Sequence, residues 1–173
     1  TRRYYPHGPL FAHILGYVAE ANEKEMNADP ELSLGDSVGK LGLESKLEKR
    51  LRGQKGLAFI EMNAIGLSLS SAMAKEAQSG DSITLSLDIE VQKVAVEALG
   101  EHSGCIVVME PFSGKIIAMV TQPSFDNNAF ATGLSTAQWE ELRTNPRFPM
   151  QNRTIQSEYP PGSVWKLVTA GVV

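Results

Sequence analysis

The spacing of leucines gives the clearest helix prediction in the first half of the chain. Leu43, Leu47 and Leu51 recur at every fourth position, which places them on one face of an α-helix. Basic side chains gather at the end of this stretch, where the helix dipole favours them, and Gly53 follows at the position of a C-cap. The pattern therefore predicts a helix over Leu43–Arg52.

A second helix and several strands are predicted further along the chain. Asp88 offers an N-cap and Gly100 a C-terminal stop to a helix whose apolar stripe is Val91, Val94, Ala95, Ala98 and Leu99. Short aliphatic runs predict strands at Leu57–Met62, Leu67–Ser71, Ile83–Leu87, Gly104–Met109 and Lys115–Thr121. The first two runs flank Asn63–Gly66, which indicates a hairpin. The last two are almost continuously apolar, so their sheet is expected to be covered on at least one face.

The remaining segments are less regular. Leu10–Val18 is expected to form a strand, or a short helix that ends in a strand, and Asn22–Glu25 has the pattern of a capping box for a helix through Met26. The segments predicted to be irregular are Asn27–Gly42, the linker Ala72–Gly80, and Pro123–Pro149, which holds one short helix near Ser135–Arg143.

Composition narrows the function classes only slightly. The 173 residues suffice for one or two domains with a real core, and a formal charge of −4 gives no reason to expect nucleic acid as a partner. No apolar run is long enough to cross a membrane, and a start at Thr1 indicates removed upstream sequence. The single Cys105 lies in an apolar run and is expected to be buried, and the histidine spacing suits no metal. No cofactor or metal is expected.

Candidate chemistry lies near the end of the sequence, where Ser163 and Lys166 follow Tyr159–Gly162. A serine hydroxyl becomes a good nucleophile when a nearby base takes its proton, and residues three apart share a helix face. The Ser-x-x-Lys pattern alone is weak evidence, because the sequence repeats it at Ser37 and Lys40 in a glycine-rich stretch. The residues by themselves therefore leave a catalytic pair and a chance match open.

Four blocks spread over the chain carry a family resemblance. They are Arg3–Gly8 with His13–Val18; Gly39–Glu44 with Leu51–Gly56; Leu85–Asp88 and Gln92 with Pro111, Gly114–Met119 and Pro123–Asp126; and Asn152–Thr154 with Tyr159–Lys166. In this order and spacing the chain resembles class B penicillin-binding proteins, the membrane-anchored transpeptidases that crosslink peptidoglycan, and most of all the elongation type. Ser-x-x-Lys is an established signature of these proteins.

The resemblance implies an α+β fold in two parts. Residues 1–80 would form an elongated mixed pedestal, or dimerisation-type, domain, and residues 81–173 the first helix and strands of an incomplete transpeptidase domain. It also implies that five residues join the two parts, namely Arg3, Pro6, Gly39, Gly42 and Glu44. On the residues alone, the glycines equally suit ordinary turns, and Glu44 equally suits the helix dipole.

The resemblance further implies a mechanism and a setting. Ser163, activated by Lys166, would attack the D-alanyl-D-alanine of a stem peptide to form an acyl-enzyme, and β-lactams would acylate the same oxygen. The domain would face the periplasm from an N-terminal anchor in the inner membrane, outside this chain. Expected partners are a rod-elongation scaffold, a glycan polymerase, or a second copy of the chain.

The chain departs from the family in what it lacks, since neither Ser-x-Asn nor Lys-Thr-Gly occurs in its sequence. We therefore expect an enzyme as the parent protein, with this piece inactive alone and serving as a pedestal and interaction module. Unpaired strand edges predict either disorder after about Gly104 or pairing with another copy. A division-type transpeptidase remains an alternative. A penicillin-sensing receptor or a serine β-lactamase fits less well, because those relatives lack the Arg3–Pro6 and Gly39–Glu44 blocks.

Overall fold

The computed structural model describes residues 3–63, 65 and 68–172. Its α-helices are α1 (Ala12–Leu15), α2 (Glu23–Ala28), α3 (Gly42–Lys46), α4 (Glu48–Arg52), α5 (Ile89–Leu99), α6 (Asn127–Thr132), α7 (Thr136–Thr144), α8 (Arg153–Gln156) and α9 (Trp165–Ala170), with 3₁₀ turns at Gly8–Phe11 and Gly162–Val164. Its strands are β1 (Val18–Glu20), β2 (Ser37–Gly39), β3 (Leu57–Met62), β4 (Ser68–Lys75), β5 (Gly104–Met109) and β6 (Ile116–Gln122). This mixture confirms the α+β class.

The strands form antiparallel pairs that follow one another along the chain. Strand β1 pairs with β2, β3 with β4, and β5 with β6, and Cys105, which is half-buried, lies opposite Thr121 in the last pair. Helix α5 packs against β6, so the β5–β6 sheet is covered on the α5 face as expected. Helix α8 packs against both strands.

An aromatic cluster joins the beginning of the chain to the segment that follows β6. Ala12, Phe125 and Phe130 are buried together, and Tyr17 stacks on Phe130 with ring centroids 3.9 Å apart. Phe125 meets Phe130 edge to face at 5.5 Å, a geometry that aromatic rings favour. The core therefore lies between two chain segments that are more than 100 residues apart in the sequence.

Several predicted elements are confirmed by local interactions. Leu10–Val18 forms helix α1 and runs into β1, as one of its two expected forms. The capping box of α2 is complete, since Asn22 and Glu25 each accept the other's backbone N–H. The side chain of Asp88 accepts two backbone N–H groups at the start of α5. These caps depend on residues only two or three positions apart, which explains why the sequence pattern predicts them.

The predicted helix over Leu43–Arg52 is wrong in one respect, because it breaks at Leu47 into α3 and α4. Leu47 has φ −113° and ψ 19°, outside the helical range. The break directs α4 so that Arg52 binds Asp29 at 2.5 Å, a tertiary ion pair that no local pattern reveals. Gly53 ends α4 with φ 73°, as predicted.

The predicted apolar stripe of α5 is also partly wrong. The helix buries Gln92 and Ala95, whereas Val94 has 63% of its surface exposed and Ala98 is exposed as well. The buried face is turned because Gln92 carries hydrogen bonds that fix the helix against β6.

The predictions for strands and loops need corrections. Ile83–Leu87 is not a strand: Ser86 Oγ donates to the carbonyl of Ile116 at 2.6 Å, and the segment lies beside β6 without a regular ladder. The predicted linker Ala72–Gly80 is wrong up to Lys75, because β4 continues to that residue and pairs it with Leu57. Such pairing is set by the partner strand, and the small side chains of this run give no signal of it.

Two segments predicted as irregular contain further elements. Asn27–Gly42 holds β2, and Pro123–Pro149 holds α6 as well as the predicted helix α7. The hairpin between β3 and β4 is confirmed. Of its predicted turn, Ala64 and Gly66 lie outside the described residues, as does Leu67 from the second strand run.

Candidate active site

Ser163 and Lys166 lie at the start of the last described helix. Ser163 is in the 3₁₀ turn Gly162–Val164, and Lys166 is in the first turn of α9. Gly162 has φ 54°, a left-handed conformation that glycine adopts without steric cost, and so permits the sharp turn after the two prolines. The local fold thus has the helical start that the sequence predicts.

The two side chains are not yet engaged with each other. Both are exposed, and among the described residues no hydrogen bond joins Ser163 Oγ to Lys166 Nζ. A lysine acts as a base at neutral pH only where burial or nearby cations favour its neutral form. The arrangement therefore places the two side chains one turn apart but leaves them in solvent.

Apolar side chains around this pair also face solvent. Val164, Trp165, Leu167 and Val168 each have more than half of their surface exposed. A contiguous apolar surface of this kind normally marks a contact with another part of a protein or a partner. The Ser163 helix therefore presents a surface suited to packing.

Helix α8 precedes this helix and is firmly held. The guanidinium group of Arg153, which is buried, donates to the carbonyls of Arg147 at 2.7 Å and Phe148 at 3.2 Å. Phe148 has φ 46°, which is unfavourable for a residue with a side chain, so the two hydrogen bonds hold a strained turn in place. Asn152 caps α8 by accepting the N–H of Thr154.

The residues expected to join the two parts of the chain include a compact charged group. Arg3 Nε lies 2.9 Å from Glu44 Oε1, and a second guanidinium nitrogen donates to Oε2 at 3.1 Å, which makes the pair bidentate. The hydroxyl of Tyr5 donates to Glu44 at 3.2 Å. Burial, together with the neighbouring Glu44 carboxylate, raises the pKa of the Tyr5 phenol well above its usual range.

The two glycines of that prediction lie where chain segments touch. A Cβ on Gly39 would lie 2.0 Å from the carbonyl oxygen of Glu44, and one on Gly42, which has φ 59°, would lie 2.5 Å from that of Ile14. Neither position leaves room for a side chain. Pro6, by contrast, is exposed.

The N-terminal segment, residues 3–17, is attached to the second half of the chain by side-chain amides. Asn128 and the backbone of Tyr5 exchange two hydrogen bonds of 2.9 Å. Gln92, which is completely buried, donates to the carbonyls of Leu10 and Met119 at 3.0 and 2.9 Å. We call these contacts of residues 3–17 with residues 92–153 the junction.

Two further asparagines bind the same segment. Asn127 donates to the carbonyl of Gly16 at 3.1 Å, and Asn152 donates to that of His13, also at 3.1 Å. No prediction assigned these roles, although Gln92 and Asn152 stand inside the motif blocks. In the sequence, these roles are signalled only by the residue types, because an amide stands within the apolar helix α5 and at the start of α6 and α8.

His13 is the buried titratable group of the junction. Its ring meets Phe125 edge to face at 5.1 Å, and its Nε2 lies 3.5 Å from the carbonyl of Pro123. Burial lowers the pKa of the imidazole, and the nearby Arg153 cation adds to that effect, while the carbonyl contact opposes it. The neutral form is therefore the one that suits this site.

Within the part of the chain that the structure describes, no three His, Cys, Asp or Glu side chains are grouped to hold a metal ion. Over the same residues, no helix has the length and apolar character needed to span a bilayer.

Comparison with known proteins agrees with this arrangement. The penicillin-binding protein dimerisation domain matches residues 1–85, and the penicillin-binding protein transpeptidase domain matches residues 104–173. The peptidoglycan D,D-transpeptidase MrdA of Acinetobacter baumannii is 41% identical over 170 residues, which are 97% of this chain and 25% of that protein. The chain thus spans about a quarter of the length of this curated relative.

Solved structures give the same result. The complex between penicillin-binding protein PBP2 and MreC from Helicobacter pylori matches 98% of this chain and 32% of its own with a TM-score of 0.85 and 32% identity. A structure that describes the coordination of polymerization and crosslinking by a peptidoglycan synthase complex matches with a TM-score of 0.86 and 32% identity. This match also covers 98% of this chain and 32% of the other chain. With both domain types present in order, the chain belongs to the penicillin-binding proteins and is similar to PBP2.

Proposed function

We propose that this chain is part of a peptidoglycan D,D-transpeptidase in which Ser163 is the nucleophile and Lys166 its general base. The observation that carries the proposal is the placement of Ser163 and Lys166 one turn apart at the start of a helix, inside the region that matches the transpeptidase domain. The proposal concerns the longer protein, because the chain covers about a quarter of its curated relative.

The proposed chemistry assigns one role to each of the two side chains. Lys166, in its neutral form, takes the proton of Ser163 as the serine oxygen attacks the carbonyl of a D-alanyl-D-alanine bond. The tetrahedral oxyanion accepts a hydrogen bond from the backbone N–H of Ser163, which supplies half of an oxyanion hole. The terminal D-alanine leaves with a proton, and an acceptor amine then attacks the acyl-serine ester and releases Ser163.

The exposure of both side chains suggests what the rest of the domain contributes. Covering Val164, Trp165 and Leu167 buries the start of α9, and burial is one route to the neutral amine that the mechanism requires of Lys166. We therefore propose that the chain alone is not acylated and serves as pedestal and interaction module.

A reporter penicillin tests the proposal through intact-protein mass. In the longer protein that contains this chain, we expect one adduct per molecule, lost in Ser163→Ala and slowed at least a hundredfold in Lys166→Ala. A Ser37→Ala variant, which alters the other Ser-x-x-Lys match, should form the adduct at the normal rate. An adduct that persists in Ser163→Ala would contradict the assignment.

The domain division and the junction residues are part of the same proposal. Residues 1–80 act as pedestal and 81–173 as the beginning of the transpeptidase domain. Arg3, Glu44 and Gly42 hold the two together, with Gly39 shaping the α3 side and Pro6 the N-terminal segment. The Arg3–Glu44 ion pair and the close approach of Gly42 to Ile14 both lie within residues 1–80. They support the proposal indirectly, by fixing the N-terminal segment that in turn binds residues 92–153. Limited proteolysis should cut first between residues 76 and 88, outside the regular elements of the described chain.

A partner surface is proposed on the β3–β4 hairpin. Leu57, Phe59, Ile60 and Met73 are each more than half exposed, and a two-stranded sheet is only marginally stable without further packing. Because a PBP2 relative forms a complex with MreC and another belongs to a peptidoglycan synthase complex, we propose a scaffold and a glycan polymerase as partners. Self-association through this hairpin is the alternative. Analytical ultracentrifugation tests it: if the wild-type chain sediments as a dimer and Phe59→Ser as a monomer, the hairpin joins two copies.

The same relatives, whose names describe peptidoglycan enzymes, support a proposal for the cellular setting. We propose that the chain lies on the periplasmic side of the inner membrane, connected to an anchor outside it. The blocks around Gly39–Glu44 favour an elongation-type over a division-type protein. Complementation of a strain depleted of its elongation transpeptidase tests this choice, because a division-type protein would fail to restore the rod shape.

A further inference from the structure

We propose that Asn152 is a positioning residue that fixes the Ser163 segment against the N-terminal segment and strand β6. This inference rests on the proposed function, since it concerns the placement of the serine that is to be acylated. Asn152 itself touches no substrate and acts only through the chain that follows it.

Asn152 connects three parts of the molecule through one buried side chain. Its Nδ2 donates to the carbonyl of His13 at 3.1 Å, and its Oδ1 accepts from the hydroxyl of Thr121 in β6 at 3.3 Å. The same Oδ1 accepts from the N–H and the hydroxyl of Thr154, at 3.3 and 2.5 Å, and so caps α8. Asn152 is 8% exposed, so these hydrogen bonds are shielded from water.

The connection from α8 to the serine is short. The six residues 157–162 separate the end of α8 from Ser163, and Pro160 and Pro161 among them have fixed φ angles. The orientation of α8 therefore limits the directions from which the chain reaches Ser163. A nucleophile displaced by about 1 Å from its productive position can lose about a hundredfold in rate.

A matched pair of variants isolates this role. Asn152→Asp keeps an oxygen that caps α8 and accepts from Thr121, but it loses the N–H that binds His13. Asn127 offers the same chemistry elsewhere: its amide also donates to a carbonyl of the N-terminal segment at 3.1 Å, and it is also buried at the start of a helix. Helix α6, however, does not lead to Ser163. Asn127→Asp is therefore the control variant, since it weakens the junction without changing the position of Ser163.

The experiment uses the longer protein and a chromogenic cephalosporin under stopped flow, which separates the encounter constant from the acylation rate constant. We expect Asn152→Asp to lower the acylation rate constant about tenfold to a hundredfold with the encounter constant changed less than threefold. Both variants should lower the thermal midpoint by a similar amount. Asn127→Asp, however, should leave the acylation rate constant within about twofold of the wild-type value. A merely structural role would move both variants together.

The outcomes separate the two levels of the proposal. If the wild-type protein acylates at Ser163 and both variants share its rate constant, or lose it equally, the positioning role is overturned and the proposed function stands. If the wild-type protein forms no adduct at Ser163, the proposed function fails and the positioning role fails with it.

Discussion

The junction and the Ser163 helix differ in how much of their packing this chain supplies. At the junction, buried amides and an aromatic cluster join residues 3–17 to residues 92–153, and next to it an ion pair holds Arg3 to Glu44. Around Ser163, by contrast, the large apolar side chains face solvent. The comparison shows that the chain builds well-packed contacts between its N-terminal segment and its second half, whereas the described helix that carries the Ser-x-x-Lys motif stays largely exposed.

The difference also concerns the type of interaction. The junction relies on buried polar groups, which are costly when unpaired and therefore fix one arrangement. In the described part of the Ser163 helix the hydrogen bonds are local, within residues 161–172, and a short helix in water is marginally stable. We therefore expect substitutions at the junction to dominate the stability of this chain.

The largest effect is expected for Gly16→Ala. A Cβ at this position would lie 1.8 Å from the carbonyl oxygen of Leu41, and the φ of 78° with ψ −150° is almost exclusive to glycine. We expect a loss of about 3 kcal/mol or more in the free energy of unfolding, measured by urea denaturation. Gly35→Ala is the control, since Gly35 has φ 88° with open space around it. Gly35→Ala should lose about 1–2 kcal/mol in the free energy of unfolding. Equal losses in the two variants would show that the backbone conformation, and not the contact with Leu41, determines the cost.

Removing the buried amide of Gln92 should have the next largest effect. Gln92→Ala leaves the carbonyls of Leu10 and Met119 and the N–H of Met119 without their partner. We expect a loss of about 2–4 kcal/mol. The neighbouring Lys93→Ala removes an exposed side chain from the same helix and should cost less than about 0.5 kcal/mol. If the two variants unfold at the same urea concentration, the junction does not depend on Gln92.

A smaller loss is expected for Glu44→Gln. The substitution removes the charge that pairs with Arg3 and accepts from Tyr5, at a position that is 7% exposed. We expect a loss of about 1–2 kcal/mol by thermal unfolding. Glu90→Gln, which breaks the exposed pair with Lys93, should change stability by less than about 0.5 kcal/mol. A greater loss for Glu90→Gln than for Glu44→Gln would contradict the stabilising role assigned to the Arg3–Glu44 pair.

The smallest effect is a pH dependence that originates at His13. Burial lowers the pKa of this imidazole in the folded protein. Below pH 6.5, the ordinary pKa of histidine, the unfolded chain therefore binds the proton more readily than the folded protein does. Stability should therefore be complete above about pH 6.5 and decrease as the pH falls below it, by at most about 1.4 kcal/mol per pH unit. His13→Gln should flatten this slope, and an unchanged slope would assign it to other groups.

The extent to which sequence predicts these two regions differs for a physical reason. The caps at Asn22 and Asp88 and the turn at Gly162 involve residues close in sequence, so the pattern predicts them. Ser163 and Lys166 were found in the same way, through a motif of four residues. Their catalytic role stays a prediction, because it depends on groups that would have to cover them.

The contacts of the N-terminal segment were predicted only in part. The family resemblance pointed to Arg3 and Glu44, and the structure places them together. Gln92, Asn127 and Asn152 were not predicted, because their partners are backbone carbonyls 82, 111 and 139 residues away, and a carbonyl has no sequence signature. The break at Leu47 and the extension of β4 depend on tertiary contacts for the same reason.

Hydrogen exchange on the 173-residue chain, followed by mass spectrometry, tests the contrast between the two regions most directly. We predict slow exchange in peptides covering residues 10–17, 89–99 and 116–122, and fast exchange in residues 157–172. Equal protection of the Ser163 helix and the junction would contradict the account, as would fast exchange at residues 10–17.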